Sequence, residues 1–150
     1  MVALIGEQFK PILTTEDFKV FTEVADSLKA GKIVNRTLPA ALAPIFTPSS
    51  QAFLISTLKC DTSKEMQKLK VPVLVIGGSK DLQVPADDAT QLAKMNKGAT
   101  LKIVQEMNHV LKKAPLNRGE NLATYNNRSL QLHEEVIPIL TSFIKNNTNL

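Results

Sequence analysis

The chain has 150 residues, enough for one domain with a real core. An apolar share of 43% and a charged share of 21% suit an ordinary globular protein. No stretch nears the roughly 20 apolar residues of a membrane span, so no membrane partner is expected. The net charge of +4 comes from lysines spread along the chain, not massed in one run, so no nucleic-acid partner is expected either.

Cys60 is the single cysteine, which excludes an internal disulfide and a cysteine-based metal cluster; it reads as a small apolar residue. Met1 to Gly6 is apolar but too short for a signal peptide and has no basic residues ahead of it, so a cytoplasmic location is the expectation. Composition and pattern change near Lys70, giving an all-helical region over residues 1–69 and an α/β region over residues 70–150.

Val2 to Leu13 places Leu4, Ile5, Gln8, Phe9 and Ile12 at helical spacing. A second helix begins after a cap at Thr14 or Thr15, with Glu16 and Asp17 in its first turn. It carries Phe18, Phe21, Val24, Ala25 and Leu28 as one stripe, and ends at Gly31. Pro39, Pro44 and Pro48 break up Leu38 to Pro48, which predicts short turns or an irregular connection. Ser50 to Leu58 reads as a helix, and Asp61 to Leu69 as a short helix or a loop.

Val71 to Ile76, closed by Gly77 and Gly78, reads as a parallel strand buried on both faces. Pro85 opens a helix whose buried face is Ala89, Leu92, Ala93 and Met95, stopped at Gly98. Thr100 to Val104 is the next strand, so these elements form one βαβ unit. A last helix is predicted from Glu134 or Glu135 to Lys145, with Pro138 tolerated in its first turn.

Two loops carry chemistry. Asp81 follows the first strand in Gly77-Gly78-Ser79-Lys80-Asp81, and His109 follows the second in Glu106-Met107-Asn108-His109. Open α/β sheets place their ligands at the C-terminal ends of such strands. A carboxylate accepting the Nδ1 proton of a histidine fixes its tautomer and stabilises its cation. The plainer reading of each residue alone is a turn former and a polar loop residue; their order and placement together favour a pair. His133 reads as a solvated or capping residue, Tyr125 as packing near the His109 loop, and Lys112 and Arg118 equally well as surface charges or substrate contacts.

Val71 to Lys112 resembles the last two strands of the α/β-hydrolase superfamily. Gly78-Ser79-Lys80-Asp81 matches the acid-bearing turn, and Met107-Asn108-His109 resembles the histidine turn. Phe46 to Ser56 is similar to a cap segment of the serine-aminopeptidase-like branch. The resemblance implies the C-terminal half of such a fold: residues 1–69 as a helical cap-like region and residues 70–150 as the end of the α/β core. It implies Asp81 and His109 as catalytic acid and base, and Phe46, Phe53 and Leu54 as cap candidates for substrate binding.

The family's G-x-S-x-G nucleophile has no counterpart. Ser27, Ser49, Ser50, Ser56, Ser63, Ser79, Ser129 and Ser142 all lack that context, and Ser79 is followed by Asp81 where the second glycine belongs. The family's oxyanion-hole loop and first six strands are absent as well. Two readings stay open: part of a serine hydrolase acting on small esters or amides, its nucleophile outside this chain, or an inactive remnant that binds a small ligand or a partner. No metal or cofactor is expected. A short sheet of about two strands leaves an apolar edge, which predicts a homodimer or other self-association through that edge.

Overall fold

The computed structural model describes Gly6 and residues 9–148. It divides the chain into two compact units, Met1–Asp61 and Thr62–Leu150.

In the first unit, helix α1 (Thr15–Lys29) starts where the Thr14 side chain accepts from the Asp17 N–H at 3.1 Å. Its inward stripe buries Phe21, Val24, Ala25 and Leu28. Each large side chain there contributes about 1.5–3 kcal/mol of burial. Gly31 ends the helix in the left-handed region at φ 78°, where Lys32 N–H reaches Ser27 O at 2.9 Å. Of the expected helix Val2 to Leu13, one part is visible: Lys10 N–H bonds Gly6 O at 2.9 Å and Leu13 N–H bonds Phe9 O at 3.1 Å. Met1 to Ile5, Glu7 and Gln8 lie outside the described residues.

Pro39 to Phe46 forms the expected short turns, through Leu42 N–H to Pro39 O and Phe46 N–H to Leu42 O. Helix α2 (Pro48–Leu58) starts earlier than its expected beginning at Ser50. Pro48 opens the helix at its first position, where no donor is needed, and Thr47 caps it by accepting from Ser50 N–H. The buried Gln51 amide is fully used: it accepts from Val34 N–H and donates to Val34 O and Phe46 O.

The second unit opens with helix α3 (Thr62–Lys68), which settles the choice between helix and loop. Strand β1 (Val73–Gly78) pairs in parallel with β2 (Ala99–Val104), in register from Val73 opposite Ala99 to Gly78 opposite Val104. Helix α4 (Ala86–Lys94) makes the crossover. The fold of this unit is therefore a small α/β arrangement on a two-stranded parallel sheet. Helix α5 (Arg118–Tyr125) and helix α6 (Val136–Asn147) complete it.

Two expectations for the first strand need correction. The strand starts at Val73, not Val71, and includes both glycines; Val71 is exposed. It is also not buried on both faces: of its residues only Val75 and Gly78 are buried. A two-stranded sheet covers each strand too little for that. Lys102 and Thr100 on β2 are exposed, which marks one face as open to water. The glycines belong in the strand because of close packing. A Cβ on Gly77 would come within 2.9 Å of the Ala89 Cβ, and one on Gly78 would overlap the Met107 carbonyl oxygen.

Candidate functional site

Parallel pairing of β1 and β2 sends both of their C-terminal loops out of the same sheet edge. The loops are tied directly. Ser79 N–H bonds Val104 O and Lys80 N–H bonds Met107 O, each at 2.9 Å, while the Ser79 hydroxyl accepts from Glu106 N–H at 2.9 Å. That hydroxyl joins the two loops.

Asp81 and His109 meet across this junction. The Nδ1 of His109 lies 2.9 Å from Oδ2 of Asp81. A carboxylate only accepts, so the imidazole donates from Nδ1 and leaves Nε2 as the acceptor. The second carboxylate oxygen of Asp81 accepts from Gln83 N–H at 2.8 Å and Val84 N–H at 2.9 Å. Both oxygens are thus engaged and the carboxylate is held in one orientation. The Asp81 side chain is 9% exposed and that of His109 39%, so a sheltered acid backs a histidine that reaches solvent.

A cavity of about 220 Å³ lies beside the pair, lined by Ile76, Gly77, Gly78, Val84, Met107 and Leu111 together with Asp81 and His109. Its walls are mostly apolar, and the paired side chains are its charged element.

The His109 loop is tightly closed. Met107 and Lys113 form an antiparallel bridge, Asn108 N–H bonds Lys112 O at 3.0 Å, and Leu111 adopts a positive φ of 59° to complete the turn. Lys112 is not a free surface charge. Its Nζ donates to Thr124 O at 3.1 Å and Asn127 O at 2.6 Å, at the end of α5. Arg118 is exposed at the start of α5.

Helix α5 has no place in the expectation from sequence, yet it supplies the groups behind the pair. Asn117 caps it, accepting from Gly119 N–H and Glu120 N–H. An asparagine followed three residues later by glutamate is a readable helix start, and that signal was present. Asn121 and Thr124 on its inner face are buried, as is Asn108. The hydroxyl of Tyr125 is buried as well, beside the Gln83 side chain and the Leu82 and His109 backbone. Burial, then the charge of Asp81, pushes this phenol above its ordinary range.

His133 is not solvated. It is buried, and its Nδ1 accepts from Glu135 N–H at 3.3 Å ahead of α6. The cap candidates separate. Phe46 and Leu54 line an apolar cavity of about 50 Å³ inside the first unit, whereas Phe53 is 67% exposed on α2, on the side away from that core. Among the described residues no group of three or more His, Cys, Asp or Glu side chains is placed to hold a metal ion, and no helix is long and apolar enough to cross a membrane. No protein-family model matches the chain, and no curated protein matches it.

Proposed function

We propose that this chain supplies the acid and the base of a Ser-Asp-His triad in an α/β-hydrolase that cleaves esters or amides, with the serine on a segment outside it. The observation that carries the reading is the 2.9 Å contact between His109 Nδ1 and Asp81 Oδ2, at the C-terminal ends of adjacent parallel strands. In this role His109 takes the serine proton at Nε2 and returns it to the leaving group. Asp81, pinned by two backbone N–H groups, holds the ring in the Nδ1–H tautomer and steadies its cation. The apolar cavity beside the pair would receive the reacting groups and keep water away from them.

The test uses the protein expressed from DNA that includes the reading frame upstream. A G-x-S-x-G stretch in that frame, turnover of a chromogenic short-chain ester and labelling of one serine by a phosphonate are expected together. Asp81→Asn should then lower turnover by about 10⁴-fold, because the ring is released into the wrong tautomer. An upstream frame without such a serine, with no turnover and no labelling, would overturn the reading in favour of a binding protein built on the same fold.

A further inference from the structure

The residues just before Asp81 and His109 are both tied down by hydrogen bonds that lead to Asn121. Lys80 precedes Asp81. Its N–H bonds Met107 O, and its carbonyl accepts from Asn121 Nδ2 at 2.9 Å. Asn108 precedes His109. Its N–H bonds Lys112 O, its carbonyl accepts from Leu111 N–H, and its side-chain Oδ1 accepts from Lys112 N–H at 3.1 Å. The Asn108 Nδ2 then donates to Asn121 Oδ1 at 3.0 Å and to Thr124 Oγ1 at 2.6 Å.

These bonds form one directed chain, from the Lys112 N–H through the Asn108 and Asn121 amides to the Lys80 carbonyl. Neither amide can turn over. Flipping Asn108 would set its NH₂ against the Lys112 N–H, and flipping Asn121 would set its oxygen against the Lys80 carbonyl. Asn108 and Asn121 are 0% and 1% exposed, so each bond is made away from competing water and each lost partner leaves a buried polar group unsatisfied. Thr124 closes the network by donating its hydroxyl proton to Asn121 O at 2.7 Å.

We propose that Asn108, Asn121 and Thr124 are positioning residues that set the geometry of the Asp81–His109 pair, with Asn121 joining the two loops through helix α5. The proposal rests on reading Asp81 and His109 as a functional pair. An apolar trio of the same size would fill the space equally well but would not fix the separation of two loops that leave different strands. The geometry of the pair is therefore what the amides add.

The tautomer of His109 reports that geometry without any need for catalysis. Long-range ¹⁵N–¹H correlation of the neutral imidazoles should show His109 as the Nδ1–H form in the unaltered chain. His133 provides an internal reference: its Nδ1 accepts a backbone proton, so it must carry its own proton on Nε2. In Asn121→Leu and in the isosteric Thr124→Val, the His109 ratio of Nδ1–H to Nε2–H should fall by about fivefold or more, while His133 stays as it is. Thr124→Ser, which keeps the hydroxyl, should restore the starting ratio. Val136→Ala, a core truncation on α6, should lower stability and leave both tautomers unchanged.

An Nε2–H His109 in the unaltered chain would overturn the pair itself and the proposal with it. A pair that keeps its Nδ1–H form in folded Thr124→Val and Asn121→Leu would overturn the positioning role and leave the pair standing. A shift of the same size in Val136→Ala would also overturn the proposal, since any loss of stability would then suffice.

Discussion

At the scale of single residues, Tyr125 is shifted by its surroundings. Its hydroxyl is buried beside the Gln83 side chain and the Leu82 and His109 backbone, and close to the charge of Asp81. Tyr125→Phe should change stability by no more than about 1 kcal/mol in urea unfolding near neutral pH, since the cost of burying the hydroxyl and its polar contacts offset each other. The pH dependence is a second reading of the same group. Its folded-state value is raised, so the unfolded chain ionises first as pH climbs. The stability it gives is complete below about pH 10 and is lost as pH rises through the folded value. Tyr125→Phe should flatten that alkaline limb. Lys113, raised through its hydrogen bond to Glu106, stays in both proteins and cancels in the comparison. An alkaline limb of the same slope in both would show that the phenol is solvated.

At the scale of elements, the cap of α5 should matter more than a surface asparagine normally does. Asn117 accepts from two N–H groups at the helix start, and the helix carries Asn121 and Thr124 at the back of the site. Asn117→Ala should cost about 1 kcal/mol by denaturant unfolding. It should also speed amide exchange in Arg118–Tyr125 before the rest of the second unit, because a frayed first turn opens locally. Exchange that quickens uniformly would place the loss in global stability alone. The same helix shows where the sequence was legible and where it was not. The βαβ unit could be read because β-branched runs, glycines and a helical stripe repeat a local pattern. The meeting of Asp81 with His109 followed from that topology, since adjacent parallel strands deliver their loops to one edge. The buried amides behind them could not be read. Asn108 and Asn121 lie in mixed polar and apolar stretches with no local pattern that marks them as buried, and only the folded backbone brings Lys80 O within reach of Asn121. The separation of Phe53 from Phe46 and Leu54 could not be read for a related reason: periodicity on an apolar helix such as α2, with its weak segregation of faces, does not say which side turns inward.

At the scale of the whole molecule, the sheet is too small to close itself. Among the described residues β1 pairs with β2 alone, and most of its side chains remain half-buried. A strand with a free edge offers unpaired N–H and C=O groups to another chain. Helix α6 adds to this. Val136 and Ile139 belong to the core cluster with Val104 and Met107, yet Ile137, Leu140 and Ile144 are exposed at helical spacing on another side. A chain that leaves both a strand edge and an apolar stripe open gains by covering them, either with another protein segment or with a second copy. The isolated chain should therefore self-associate, with a mass in sedimentation velocity that rises with concentration from that of one chain to that of two. Leu74→Lys, at a half-buried position of β1, should move the equilibrium towards the single chain by at least about tenfold, because the charge must be desolvated in any strand-paired contact. A single-chain mass at every concentration, or association indifferent to the lysine, would show that the edge of β1 is not where a partner binds.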